Sequence, residues 1–264
     1  MIRDITLGQY YQGTSLIHRL DPRTKIIATI LYIIVLFIAQ NAFGLAISTL
    51  ALIAVIALSK VPLGFILRGV KPIFIIIVFT FVLNLFMIPG EEIAALGPLT
   101  ITRESLRTAS FLAGRLVLLI FGASLLTLTT KPIGLTDGIE KLISPLRRIG
   151  VPAHEIAMMM TIALRFIPTL LEETDKIMKA QQARGADFET GSLVKRAKSL
   201  IPILVPLFIS SFRIAQDLAM AMEARCYRGG EGRTRMNSMQ MTRLDLAGFA
   251  FQAAFAAIII IFGR

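Results

Sequence analysis

Two arginines carry the strongest chemical signal in this chain. Arg184 stands in the tripeptide Ala183-Arg184-Gly185 and Arg225 in Ala224-Arg225-Cys226, forty-one residues apart. Each closes a long helical-looking segment within a charged, Met-rich stretch of an otherwise apolar protein. An Arg in the last turn of a helix faces the negative end of the helix dipole and presents a planar fork of N–H donors. One such residue can simply complement its own helix. Two at matched helix ends can also engage acceptors on another surface, as the prongs of a plug.

The elements that position them belong to a membrane protein. Of the 264 residues, 55% are hydrophobic, and the mean hydropathy is +0.72, which excludes an ordinary soluble domain. The net charge of +11 does not indicate nucleic acid, because the basic residues sit in loops and at segment ends rather than in one stripe. A single cysteine, Cys226, excludes an intramolecular disulfide and disfavours a Cys-rich zinc site. Residues 1–25 are polar and do not read as a signal peptide.

Residues 26–58 are uncharged throughout. As one helix they would run about 50 Å, too long for a hydrocarbon core of about 30 Å. Gln40, Asn41 and Gly44 interrupt the run, and both flanks are basic: Arg19, Arg23 and Lys25 before, Lys60, Arg68 and Lys71 after. This predicts a hairpin of two short spans with both ends in the cytoplasm. A third span is predicted at 72–88, with Pro72 at a natural helix start. Glu91, Glu92 and Glu104 then outweigh Arg103, which suits an outside loop. Spans four and five are predicted at 108–130 and 246–263.

Residues 156–171 contain Arg165 and Pro168, and the 14 residues 199–212 contain Pro202 and Pro206. If both segments crossed, Lys176, Lys179, Arg184, Lys195, Arg196 and Lys198 would lie outside, against the positive-inside rule. Residues 131–243 are therefore expected in the cytoplasm. Within them Ile156, Met159, Met160, Ala163 and Ile167 form a helical stripe, as do Ile214, Leu218, Ala221 and Met222. Two helices of about 30 residues, about 45 Å each, are expected to form a lever pair joined by a turn around 188–192, with apolar beginnings near the membrane and polar ends reaching away.

Other charged residues have competing uses. Arg115 lies inside the fourth span, where an ionisable group is a functional candidate. No acidic residue lies in any predicted span to pair with it, which favours a structural Arg that bonds backbone carbonyls or snorkels. Arg165 could hold Glu155 or Asp217, fixing the angle between the long helices, or reach into the cytosol. Asp217 is also four residues from Arg213, a helical i,i+4 pair. Met158–Met160, Met178, Met220 and Met222 suit either packing or an adaptable docking face. His18 and His154 have no convincing ligand set around them. The chain has no Walker loop, HExxH or nucleophile elbow, so it is expected to hydrolyse no ATP by itself.

Motifs along most of the chain resemble one family. His18-Arg19-Leu20-Asp21-Pro22-Arg23-Thr24-Lys25 precedes the first span. Leu126-Thr127-Leu128-Thr129-Thr130-Lys131-Pro132 follows the fourth, then Pro145-Leu146-Arg147-Arg148, Leu164-Arg165-Phe166-Ile167-Pro168-Thr169-Leu170 and the two Ala-Arg tripeptides. Together they resemble the transmembrane coupling component, EcfT, of energy-coupling factor vitamin importers, a branch of the ABC importers. The resemblance implies an all-α polytopic membrane protein with five transmembrane helices and a cytoplasmic coupling domain of long paired helices. The expected domains are 1–130, 131–243 and 244–264.

By the same resemblance, Ala183, Arg184, Gly185, Ala224, Arg225 and Cys226 dock into grooves on two ABC-type ATPase subunits. Those partners would bind ATP and Mg; no cofactor is expected in this chain. The resemblance further implies a substrate-capturing S component that binds a vitamin or metal ion, contacted here around Met159, Ala163 and Met222. The expected location is the cytoplasmic membrane of a prokaryote. The family usually has Gly after the second Ala-Arg. A left-handed cap suits Cys226 poorly, so the second helix is expected to continue toward Gly229. Within the family, a subunit dedicated to cobalt, nickel or one vitamin is the alternative to a shared one. A polytopic lipid enzyme lacks clustered acid, base or metal groups here, and a channel or carrier would need polar residues on several spans.

The charge asymmetry predicts that an impermeant thiol reagent added outside reaches a cysteine at Glu91 and misses one at Lys195. External labelling at 195 would overturn this topology.

Overall fold

The computed structural model describes residues 10–96, 99–188, 192, 194, 198–230 and 239–263. Lys195 and Arg196, and part of the expected turn at 188–192, lie outside the described residues. The chain order is α1 (Leu16–Arg19), α2 (Pro22–Ile38), α3 (Ala42–Ser59), α4 (Leu63–Val70), α5 (Phe74–Met87), β1 (Glu92–Leu96), β2 (Leu99–Thr102), α6 (Arg103–Thr129) and α7 (Pro132–Ile143). A 3-10 turn (Ser144–Ile149), α8 (Ala153–Ala183), α9 (Ile201–Ala224) and α10 (Arg243–Phe262) follow. The protein is an all-α multi-pass membrane protein with one small antiparallel hairpin, β1–β2.

Five described helices are long and apolar enough to cross a membrane: α3, α6, α8, α9 and α10. The number is the expected one, but the members differ. The first expected span is α2, whose 17 residues reach about 25 Å. The third expected span is broken: α4 and α5 meet at a bend of 60°. Pro72 does not start α5, which begins at Phe74 after a turn through Lys71 and Pro72. The helix α4 was not legible as one, because its basic residues resemble a loop flank. Ile66 is its buried side chain, and Arg68 stacks on Phe65 at 4.8 Å. A Cβ on Gly69 would lie 2.6 Å from Ser124 Oγ, so glycine lets α4 approach α6.

The chain divides into two compact units, one of residues Gly8–Leu142 with Asn237–Arg264 and the other containing Ile143–Met236. The expected boundaries are 131 and 243. The helix α7 belongs to the first unit, because Gly138 lets it lie on the start of α2: a Cβ there would stand 3.2 Å from Pro22 Cβ.

In the first unit, charged and polar side chains tie helix ends together. Asp21 caps α2, accepting from Arg23 N at 3.0 Å, and Pro22 occupies the first turn, where no N–H is needed. The Asp21 N–H donates to Asp245 Oδ1 at 2.8 Å. Asp245 Oδ2 accepts from Thr242 N and Oγ1, both at 2.8 Å, closing the capping box of α10. Lys25 Nζ donates to Thr129 O at 2.9 Å and His18 O at 3.2 Å. One carboxylate and one ammonium thus join α1, α2, α6 and α10. His18 Nε2 donates to Tyr11 O at 3.0 Å, and Ser15 Oγ donates to its Nδ1 at 2.7 Å. Burial holds the imidazole below its ordinary value, against the raising effect of the Tyr11 carbonyl.

At the other end of these helices, Gln40 N and Asn41 N donate to Gly263 O at 2.8 and 3.4 Å. Gly44 permits that approach, since a Cβ would lie 3.2 Å from Gly263 Cα. The Arg115 guanidinium donates to the Ala39 carbonyl and stacks on Phe111 at 4.7 Å. Between the two ends lies a core that includes Leu36, Leu118, Leu125, Phe255 and Ile259.

Asp245→Ala removes acceptors from three donors and an anion that acts on the buried Lys25 ammonium. It is expected to cost about 3–5 kcal/mol, and Asp245→Asn less. Thermal melting followed by circular dichroism in detergent measures this; a melt of the Ala variant equal to wild type would show that the clamp contributes nothing.

Candidate functional site

The two arginines stand at two helix ends of the same construction. Arg184 is the C-cap of α8 and Arg225 that of α9. After Arg184, Gly185 N donates to Gln182 O at 2.9 Å and Ala186 N to Gln181 O at 2.9 Å. After Arg225, Cys226 N donates to Glu223 O at 2.8 Å and Tyr227 N to Met222 O at 3.0 Å. Both are Schellman caps, with the residue after Arg in the left-handed region. Gly185 has φ +89 and Cys226 φ +55. The expectation that Cys226 lets the helix continue toward Gly229 is therefore corrected: the second helix stops where the first does. The left-handed conformation costs a cysteine about 1–2 kcal/mol. Two backbone hydrogen bonds and the anchoring of Tyr227 offset that cost.

Tyr227 supplies that anchor from the second cap. Its hydroxyl lies 3.3 Å from His154 Nε2 and 2.9 Å from Met158 Sδ. Gly230 packs on the same imidazole; a Cβ there would stand 2.5 Å from His154 Cδ2. His154 is thus structural, pinning the second arginine end to the first turns of α8. Neither tyrosine nor histidine stood out in the sequence as part of the site. The signal was available in the position of Tyr227, two residues past an arginine that ends a helix, where an apolar contact commonly accompanies the cap.

The helices α8 and α9 are antiparallel. Gln181 Nε2 reaches Pro202 O at 3.5 Å, Ser210 Oγ reaches Glu173 Oε1 at 3.5 Å, and Tyr227 meets His154. As numbers fall along α8 they rise along α9. This corrects the expectation that both polar ends reach away together. Arg184 stands at one end of the pair and Arg225 at the other. They are separated by about 40 Å, the span of α8 from Met158 to Arg184 at about 1.5 Å per residue. Both arginines are exposed. Among the described residues neither guanidinium has a hydrogen-bond or ion-pair partner.

The other singled-out residues do not join this site. Met159 and Ala163 are exposed one turn apart on α8, while Met222 on α9 is half-buried. Arg165 and Asp217 are exposed. Among the described residues no ion pair joins Arg165 to Glu155 or Asp217, or Arg213 to Asp217. Arg115 is in the first unit and caps a helix there. Large apolar side chains of α9, including Leu204, Val205, Phe208, Ile209 and Phe212, are exposed.

Residues 13–236 match the family described as cobalt transport protein, CbiQ. Among curated proteins, the chain is 62% identical over 248 residues to the energy-coupling factor transporter transmembrane protein EcfT of Thermosediminibacter oceani, covering 94% of each chain. It is 56% identical over 261 residues to the EcfT of Ruminiclostridium cellulolyticum, covering 99% of this chain and 98% of the relative. The EcfT of Bacillus subtilis is 46% identical over 260 residues, with 98% of each covered.

The sole native thiol, Cys226, makes the separation of the two ends directly measurable. Spin labels at Cys226 and at Gln182→Cys are expected about 40 Å apart by pulsed electron resonance. A separation below about 20 Å, roughly half of that helix rise, would mean that the ends lie side by side.

Proposed function

The chain belongs to the family of energy-coupling factor transporter transmembrane proteins, EcfT, and from that membership we propose that it couples two ATPases to a substrate-capturing subunit. Arg184 and Arg225 each enter a groove on one ABC-type ATPase and bond acidic or carbonyl groups there. The observation that carries this reading is the antiparallel pairing of two equivalent caps, with a guanidinium at each end that has no partner among the described residues. Prongs about 40 Å apart cannot share one groove; they suit two separate subunits. The rigid caps hold each fork in a set direction, so motion of an ATPase is delivered to a helix end rather than absorbed by a loose terminus.

ATP and Mg belong to the ATPase partners in this reading, and the chain itself is a non-catalytic subunit. In this reading the N-terminus and residues 131–243 are cytoplasmic and the membrane is that of a prokaryotic cell, which the Lys and Arg flanks of the membrane segments support. An S component that binds a vitamin or related micronutrient contacts the exposed α8 face at Met159 and Ala163, with Met222 beside it on α9. Apolar side chains left exposed on α9 suit the same kind of packing.

A charge-assisted contact contributes roughly 1.5–3 kcal/mol, so Arg184→Glu or Arg225→Glu is expected to weaken ATPase binding by about ten-fold or more. Arg→Lys at either position should be partly tolerated, because Lys keeps charge without the planar fork. Co-purification of the ATPases and uptake of a radiolabelled vitamin in cells measure both effects, and the double variant should fail to assemble. Normal assembly and transport by the double variant would return both arginines to the role of dipole complements.

A further inference from the structure

The short helix α4 carries a face that the rest of the first unit leaves open. Ile66 is buried and Gly69 lies against Ser124 of α6, but Leu63 and Leu67 are 63% and 57% exposed. Gly64, Arg68 and Lys71 follow at spacings of four and three residues, so they share one stripe of the helix surface. All three are exposed, as is Lys60 just before the helix, and a Cβ on Gly64 would meet nothing within 4 Å. The depth of α4 follows from its neighbours. Ser124 precedes Thr129, the last residue of α6, by five positions, so α4 touches α6 within about 8 Å of its end. Tyr11 donates its N–H to Leu128 O at 2.9 Å and packs its ring on Phe65 at 5.3 Å. At the 60° bend the chain passes into α5, which exposes Phe74, Ile75 and Phe79. The helix α4 therefore lies where a bilayer changes from acyl chain to headgroup.

No carboxylate answers these cations. Residues 22–90 contain Arg23, Lys25, Lys60, Arg68 and Lys71 and no acidic residue. The carboxylate of α6, Glu104, stands in its first turn, about 30 Å along the helix from Ser124. Among the described residues Lys60, Arg68 and Lys71 have no ion-pair partner. The Arg68 guanidinium instead stacks on Phe65 at 4.8 Å, which sets its plane and leaves its N–H edge for an anion. We propose that α4 is an interfacial helix that binds an anionic phospholipid. Arg68 and Lys71 hold its phosphate with Lys60 beside them, and its acyl chains lie against Leu67 and the exposed side chains of α5. Charge complementarity selects this occupant: phosphodiesters are the anions of this layer, and a guanidinium takes them bidentately. A zwitterionic lipid brings its own cation to the site and gains less. The inference needs only the membrane character of the first unit and is independent of the arginine ends.

The chain has no tryptophan, so Gly64→Trp in the full-length protein supplies a lone fluorophore on this face. Leu63→Trp repeats the measurement from the neighbouring exposed position. In bilayer discs, fluorescence is quenched by phosphatidylglycerol or phosphatidylcholine whose acyl chains are brominated near their headgroup ends. Phosphatidylglycerol should be preferred at the reporter by about five-fold or more at equal mole fraction. Arg68→Gln combined with Lys71→Gln should bring that preference down to about one, and Arg68→Lys should keep part of it. Lys141→Gln, at the end of α7, should leave it unchanged. Equal quenching by the two lipids in the parent reporters overturns the proposal. So does a preference that survives loss of both cations, or one that falls as far in Lys141→Gln. Absence of quenching by either lipid also overturns it, since protein rather than lipid then covers this face.

Discussion

Inside a bilayer no water meets the polar groups at a helix end, so each end must find a partner within the protein. The Asp245 carboxylate meets that demand for two helices at once. It caps its own helix through Thr242 and receives the backbone N–H of Asp21, which caps α2. Lys25 does the corresponding work for α6, whose last carbonyls gather negative potential; its ammonium donates to Thr129 O. At the opposite end Arg115 bonds the last carbonyl region of α2, and Gly263 O receives two N–H groups of the α2–α3 turn. The first unit is held at both rims by a few polar groups and between them by apolar packing.

The second unit follows a different rule. Few of its described side chains are buried; Ala153, Ala157 and Ile203 are among them. Its ends are set by backbone instead. The same pair of hydrogen bonds closes α8 and α9, and the residue that must turn left-handed is Gly in one and Cys in the other. The cysteine end is additionally pinned through Tyr227 to His154. Large apolar side chains of α9, such as Leu204, Phe208 and Phe212, are left exposed, a surface of the kind that packs against other protein or lipid.

Local features of the sequence carried a good part of this. Uncharged runs, basic flanks and the Gln40–Asn41–Gly44 interruption marked the α2–α3 hairpin, because hydropathy and turn residues act over a few neighbours. The arginines at helix ends were visible for the same reason, as was the structural use of Arg115. The helix α4 was hidden, because a short amphipathic segment with basic residues has the composition of a loop. The end at Cys226 was misjudged from residue preference, since a preference of about 1–2 kcal/mol is overridden when two hydrogen bonds and a packed tyrosine demand the left-handed turn.

By itself the sequence determined the class of the protein, the two arginines that end long helices and the motifs that mark its family. These depend on side-chain chemistry and on spacing along the chain. Only the tertiary structure decided that the two arginine ends face apart, that Lys25 and Asp245 bind four helices into one unit, and that Tyr11 joins α4 to the last turn of α6. Each of those facts joins residues distant in sequence, as Asp21 and Asp245 are across 224 positions. No local periodicity encodes such a pairing; it arises when helices pack and their unmet polar groups find one another.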